Sequence, residues 1–166
     1  MLATIGYEKA TLDDFVATLK EQNVEVLADI RDRAQSRRKG FSKTALSEAL
    51  NEVGIKYIHL KALGDPKPGR EAARAGDFDR FRQIFDGVMQ SNEAKEALDV
   101  LREMLETSNV CLMCYERDPM TCHRKIVSDK LKSEAGGKVQ HFGVRLGKTR
   151  DSERGRMLHS DQGAAA

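Results

Sequence analysis

Two hydrophobic periods alternate along the chain and predict alternating strands and helices. Residues 2–5, Leu-Ala-Thr-Ile, form a short apolar run ended by Gly6, which predicts a first strand. Leu12, Phe15, Val16 and Leu19 then recur at helical spacing behind Thr11, a residue suited to the N-cap. Residues 24–30 are rich in Val, Leu and Ile and follow Gln22-Asn23, which predicts a buried second strand. A polar, basic loop over residues 31–40 leads to Ser42, placed to cap a helix that turns Leu46, Leu50 and Val53 inward and stops at Gly54. Residues 55–60 predict a third strand, followed by Gly64-Asp-Pro-Lys-Pro-Gly69, whose turn residues predict an exposed loop. Phe78, Phe81, Phe85 and Val88 mark one helix; Ala94, Leu98, Leu101 and Leu105 mark another, starting near Ser91. Residues 110–114 predict a fourth buried strand. Ile126, Val127 and Leu131 carry a last helix, which Gly136-Gly137 stops, and residues 138–142 offer a fifth strand.

Strands separated by helices need crossover connections, so the pattern predicts an α/β domain: a three-layer, Rossmann-like fold with a mainly parallel sheet. The pattern assigns residues 1–142 to this single domain. From Gly143 to Ala166 large apolar residues are sparse, which predicts a polar, flexible C-terminal tail. No internal repeat is visible.

Composition changes this picture little. A chain of 166 residues suits one hydrophobic core, and 33% charged against 40% hydrophobic residues predicts a soluble globular protein. No apolar run approaches the roughly 20 residues that span a bilayer, and no signal segment opens the chain, so no membrane partner and a cytoplasmic location are expected. In that reducing setting Cys111, Cys114 and Cys122 are expected as thiols or metal ligands. The net charge of +2 does not by itself argue for nucleic acid.

Candidate chemistry follows from where ligands bind in parallel sheets, beyond the carboxyl ends of the strands. That rule selects Gly6 and Tyr7 after the first strand, Asp29 and Arg31 after the second, His59 and Gly64 after the third, and Cys114 and Glu116 after the fourth. The densest element is Cys114-Tyr-Glu-Arg-Asp-Pro-Met-Thr-Cys-His-Arg124. With Asp118-Pro119 as N-cap and first helical position, or with Thr121 capping a later start, Cys122, His123 and Arg124 fall in or near a helix's first turn, where peptide N–H groups favour an anion. Three readings are open. Cys122 or Cys114 could be a nucleophile, with His123 or Glu116 moving protons and Arg31 or Arg124 holding an anionic substrate. Cys114, Cys122 and His123 could instead bind zinc or iron with His59 or Glu116 as fourth ligand, although the spacing is no standard zinc-finger pattern, and no residue is assigned to metal on this ground. Or the segment is structural, with Cys114 in the core and Glu116 paired to an arginine. Cys111, on a buried strand, is expected to be structural.

A second cluster, Arg31-Asp-Arg-Ala-Gln-Ser-Arg-Arg-Lys39, could grip phosphates, with Ser36, Arg37 and Arg38 contributing. Asp29 could orient Arg31 or take part in catalysis, Tyr7 could stack on a base, and His59 is a secondary candidate. A non-catalytic nucleic-acid-binding module, gripping through Arg33, Arg37, Arg38 and Lys39, is the rival to an enzyme, and a metal-binding sensor is a third possibility.

Thr4-Ile-Gly-Tyr7, Asp29-Ile-Arg31 with Ser36, Phe41, Gly54-Ile-Lys-Tyr-Ile-His59, Leu63-Gly64, and Cys114-Tyr-Glu116 with Cys122-His-Arg124 together resemble the DUF488 family, over about residues 3–142. The resemblance implies an α/β fold with a polar site built from the Asp29-Arg31 and Cys114 to Arg124 regions, and implies no reaction. Family members often carry a second glycine where this chain has Asp65. The expectation from all of this is an enzyme acting on a phosphate-bearing ligand, a nucleotide or nucleic acid, with Asp29, Arg31, Cys114, Glu116, Cys122, His123 and Arg124 in one pocket.

Overall fold

The computed structural model describes residues 1–147. Five strands, β1 (Leu2–Gly6), β2 (Val26–Asp29), β3 (Lys56–His59), β4 (Val110–Cys114) and β5 (Val139–Phe142), form one sheet in the order β3-β2-β4-β1-β5. Every neighbouring pair is parallel, so the expected mainly parallel sheet is wholly parallel. Helices cover both faces: α1 (Leu12–Glu21) and α2 (Lys43–Glu52) on one, α3 (Lys67–Arg74), α4 (Phe78–Met89), α5 (Asn92–Thr107) and α6 (His123–Ala135) on the other. This is the three-layer, Rossmann-like arrangement.

Period-two alternation divides the strands between two cores. Ala3, Ile5, Leu27, Cys111 and Met113 pack with Phe15, Leu19, Phe41, Leu46 and Leu50. Val26, Ala28, Ile30, Val110 and Leu112 pack with Phe81, Phe85, Leu98, Leu101, Val127 and Leu131. Cys114 has the parity of Leu112 and so turns toward the second face, the side from which α6 approaches.

The boundary signals act as the local chemistry requires. Thr11 Oγ1 accepts from the Asp14 N–H at 3.2 Å, and Gly54 and Gly136 take positive φ just past α2 and α6. Ser42 occupies the N-cap of α2, but its hydroxyl serves Ser36 instead, accepting from its N–H and donating to its carbonyl. Asp118 caps only a 3₁₀ turn, Pro119–Thr121, and α6 begins at His123 with Cys122 in the cap position.

The 64–69 loop departs from its expected exposure. Gly64, Asp65 and Gly69 are buried, and α3 starts inside the segment. Its prolines fit a helix start, because Pro68 falls in the first turn, where a missing N–H costs nothing. Gly64 lies against the backbone of Asp32, 2.3 Å from where a Cβ would stand, so the loop is pressed onto the one that follows β2. In the C-terminal region, Val144 is buried in the first core and the Gly147 N–H donates to Asp14 Oδ2. The rest of the expected tail, residues 148–166, lies outside the described residues. Among the described residues no helix is long and apolar enough to cross a membrane.

Strand order places the site. The connections leaving β1 and β2 run over the α1–α2 face, whereas those leaving β3 and β4 run over the opposite face. β4 lies between β1 and β2, so the chain departs to opposite sides on both of its flanks. A crevice therefore opens at the carboxyl end of β4, where Cys114 ends the strand.

Candidate functional site

The crevice is a cavity of about 620 Å³ lined by residues that follow β1, β2, β3 and β4. Its floor holds Cys114, Glu116 and His123; its walls hold Tyr7, Arg31, Asp65 and Tyr115; its mouth holds Arg33, Ser36, Arg37 and Arg74. A second lobe of about 480 Å³ shares Asp65, Glu116 and His123 and adds Cys122, Phe78 and Phe81.

His123 organises the floor. Its Nε2 lies 2.8 Å from the Ile30 carbonyl, which can only accept, so Nε2 carries a proton and Nδ1 faces the sulfurs. Nδ1 is 3.6 Å from Cys114 Sγ and 3.8 Å from Cys122 Sγ, and all three side chains are buried. Cys114 Sγ also lies 3.3 Å from Glu116 Oε2.

Ionisation is distributed unevenly over this cluster. The hydrogen bond to the Cys122 sulfur and burial together hold the Cys114 thiol well above its ordinary range. Burial opposes ionisation of Cys122 too, but the hydrogen bond with Cys114 and the positive charges of His123 and Arg124 outweigh it and bring that thiol well down. Burial disfavours the His123 imidazolium, yet the Cys122 charge and hydrogen bond carry it up to about 9. Burial, then the Cys122 charge, push Glu116 up to about 7. These shifts favour the thiolate at Cys122 and the imidazolium at His123, and they hold the proton of the other thiol on Cys114.

The other region expected to build the site, the Asp29-Arg31 wall, is saturated internally. Arg31 Nε donates to Asp29 Oδ1 at 2.9 Å and Nη2 to Asp29 Oδ2 at 2.7 Å, while Nη1 reaches the Tyr7 hydroxyl at 3.1 Å and the Phe41 carbonyl at 2.8 Å. Asp29 also accepts from the Arg31 N–H and the Tyr57 hydroxyl, and it is fully buried. It does not line the cavity, so the structure brings it to the site only as the group that orients Arg31. His59 Nε2 is 2.8 Å from the Arg31 carbonyl and anchors the same loop from behind.

Arg124 is likewise inward. It is fully buried, with Nε donating to Thr4 Oγ1, Nη1 to the Glu116 carbonyl and Nη2 to the Arg117 carbonyl. It holds the Glu116 backbone in place and does not line the cavity. The turn needs close contact with β1: a Cβ on Gly6 would stand 1.8 Å from the Glu116 carbonyl oxygen. Arg38 spends Nε and Nη2 on the Ala10 carbonyl, at 2.9 and 2.5 Å. Ser36 and Arg37 do line the cavity. Tyr7 lines it as well, but its ring is stacked on Phe41 at 4.5 Å and edged by Tyr115 at 5.3 Å.

The sequence reading named Arg33 only as a phosphate grip of the nucleic-acid-binding rival, and it missed Asp65, Arg70, Arg74 and Tyr115; all five line the cavity. Arg70 Nη1 donates to the Asp65 carbonyl at 2.6 Å and Asp32 Oδ2 at 3.1 Å, which seats α3 against the β2 loop. Asp65 is 6% exposed, and its Oδ1 is buried without a hydrogen-bond partner among the described residues. Burial pushes this carboxyl up to about 6, although His123 and Arg70 pull the other way. A buried acid next to Pro66 looked like a turn residue in sequence; α3 brings it in. Cys111 is buried and its thiol is pushed up by burial, as a structural residue requires.

The fold and this crevice define an α/β domain with a polar cavity at the carboxyl edge of a parallel sheet. Residues 11–131 match the family model described as Domain of unknown function DUF488, and the chain belongs to that family. No curated protein and no solved structure matches the chain.

Proposed function

We propose that the cavity is an active site that binds a phosphate-bearing ligand of nucleotide size and acts on it as an enzyme. One observation carries the reading: Arg33, Arg37 and Arg74, exposed and unpaired among the described residues, line the same cavity as the buried Cys114 and His123 and the half-buried Glu116. A volume of about 620 Å³ suits a small molecule. In this reading the three guanidiniums and the Ser36 hydroxyl hold the phosphate at the mouth, because a fork of N–H donors matches its oxygens. The reacting part of the ligand then reaches the floor, where Glu116 is the accessible proton carrier and the Cys122 and His123 pair supplies charge. Arg31 and Asp29 keep the wall rigid, and Arg124 keeps the Glu116 turn in register. The rival reading of a non-catalytic nucleic-acid grip loses one of its cations, because the Arg38 guanidinium is occupied by the Ala10 carbonyl.

The test is titration calorimetry of the full chain at low salt with inorganic phosphate and a nucleoside monophosphate. Saturable binding is expected, weakened about tenfold by each of Arg37→Ala and Arg74→Ala as one charge-assisted contact is lost. No binding of either compound at low salt overturns the reading.

A further inference from the structure

We propose that Cys114, Cys122 and His123 bind a divalent, thiophilic cation, zinc in the first instance, through their two Sγ atoms and Nδ1, with the remaining position open to the cavity. The inference deepens the reading of this cavity as the functional site and rests on it for what the open position would serve.

The spacing of the donors is the first argument. An ion holding sulfur at about 2.3 Å and nitrogen at about 2.0–2.1 Å in a tetrahedron sets neighbouring donors about 3.5–3.8 Å apart. Nδ1 lies 3.6 and 3.8 Å from the two sulfurs, and all three donor atoms fall within 4.8 Å of one another. Both sulfur–nitrogen distances meet the requirement as they stand, and the two sulfurs are within 4.8 Å of each other. Each is also on a fixed element: Cys114 ends β4, Cys122 is the cap position of α6, and His123 is its first residue.

The imidazole is prepared in the way metal sites require. A ligating histidine ordinarily gives its other ring N–H to a carbonyl or carboxylate, which fixes both tautomer and ring plane. His123 makes that bond to the Ile30 carbonyl at 2.8 Å, at the end of the neighbouring strand, leaving Nδ1 directed at the two sulfurs, where a bound cation would take the place of its proton. Two thiolates and one imidazole also form a soft donor set, which selects zinc over magnesium or calcium.

Asp65 supplies an independent observation. Its carboxylate is more than nine-tenths buried, lines both lobes of the cavity, and leaves Oδ1 without a donor among the described residues. Gly69 makes room for it, since a Cβ there would lie 1.9 Å from Oδ1. An acceptor-only group kept in that position calls for a positive partner or a polarised water, and a cation at the neighbouring thiol and imidazole cluster provides either. Glu116, with Oε2 3.3 Å from Cys114 Sγ, faces the same space and can orient a water at the open position. Two thiolates neutralise a divalent charge, and binding releases the Cys114 thiol proton and the His123 Nδ1 proton to solvent, so the ion adds little net charge to the buried floor.

The test uses the full chain, stripped of metal under reducing conditions, shown to be folded by circular dichroism, and titrated with cobalt(II). A near-ultraviolet sulfur-to-cobalt charge-transfer band should grow until one equivalent and be bleached by zinc. In Cys122→Ser the band should fall by about half, since one of two thiolates is gone, with metal affinity at least about tenfold weaker. The wild-type titration stands if that variant fails to fold. Absence of a charge-transfer band in the folded wild-type chain overturns the assignment, as does an undiminished band in a folded Cys114→Ser, Cys122→Ser chain. Inorganic phosphate is titrated into the same samples. Cobalt binding without phosphate binding supports the metal site and overturns the anionic ligand; phosphate binding without cobalt binding does the reverse.

Discussion

Asp65 is the residue whose chemistry is least compensated. Its carboxyl goes from 3.8 to about 6 on folding because burial disfavours the charged form. The folded chain therefore holds that proton more tightly than the unfolded chain between those two values. The penalty is absent below pH 3.8 and complete above about pH 6, so this group lowers stability as pH rises through that window. A shift of this size corresponds to at most about 3 kcal/mol. Asp65→Asn is expected to stabilise the chain by about 1–3 kcal/mol at neutral pH and by much less at pH 4. Urea denaturation across that range, with a chelator present so that no cation competes, checks it; a gain independent of pH would show that the carboxyl is not the source. Asp29 is the opposite case. Its carboxylate is satisfied by Arg31 and Tyr57, and Asp29→Asn leaves a buried guanidinium without its counter-charge, at an expected cost of about 3–5 kcal/mol by the same denaturation. At this scale the sequence was half legible. It showed that Asp29, Arg31 and Arg124 stood at strand and helix ends, but a guanidinium beside an anion site and one spent on carbonyls have the same sequence.

Elements carry the residues into place through close approach. Gly6 lets the Glu116 turn lie against β1, and Gly69 lets α3 lie against Asp65. Gly6→Ala would put a methyl group where the Glu116 carbonyl stands, and the turn must move. The expected result is a folded chain less stable by about 1–3 kcal/mol, with weaker metal and phosphate binding together, because Glu116 and Cys114 shift as one segment. Unchanged binding would show that the turn does not position the floor. Several helix ends were legible because they rest on local signals: Thr11 caps α1, and Gly54 and Gly136 end α2 and α6, whereas the expected caps Asp118 and Thr121 gave way to Cys122 at the start of α6. The start of α3 was not legible either. Two prolines within three residues signal a turn and a helix's first turn equally well, and the packing of Arg70 on Asp32 and the Asp65 carbonyl is what favours the helix.

For the whole molecule, strand order decides where chemistry can occur. The order β3-β2-β4-β1-β5 puts β4 between two strands whose connections leave to the other face, so the Cys114 segment opens into a crevice. Salt should act on the mouth more than on the floor. Phosphate affinity is expected to fall as ionic strength rises, since Arg33, Arg37 and Arg74 are exposed and screened, while buried thiol and imidazole groups respond little. Calorimetry at two salt concentrations checks this, and a salt-independent affinity would place the anion elsewhere.

The sequence by itself determined the three-layer α/β architecture and the strand-end location of the polar residues, because periodicity, caps and breakers act over a few neighbours. Tertiary structure alone decided the strand order, the meeting of the Cys114 and Cys122 sulfurs at one imidazole nitrogen, the commitment of Arg31 and Arg124 to internal acceptors, and the burial of Asp65. Those outcomes depend on which donors and acceptors meet across the chain, as Arg124 meets Thr4 and His123 meets Ile30. Hydrogen-bond saturation and desolvation are set by such distant partners, so no local pattern of residues can encode them.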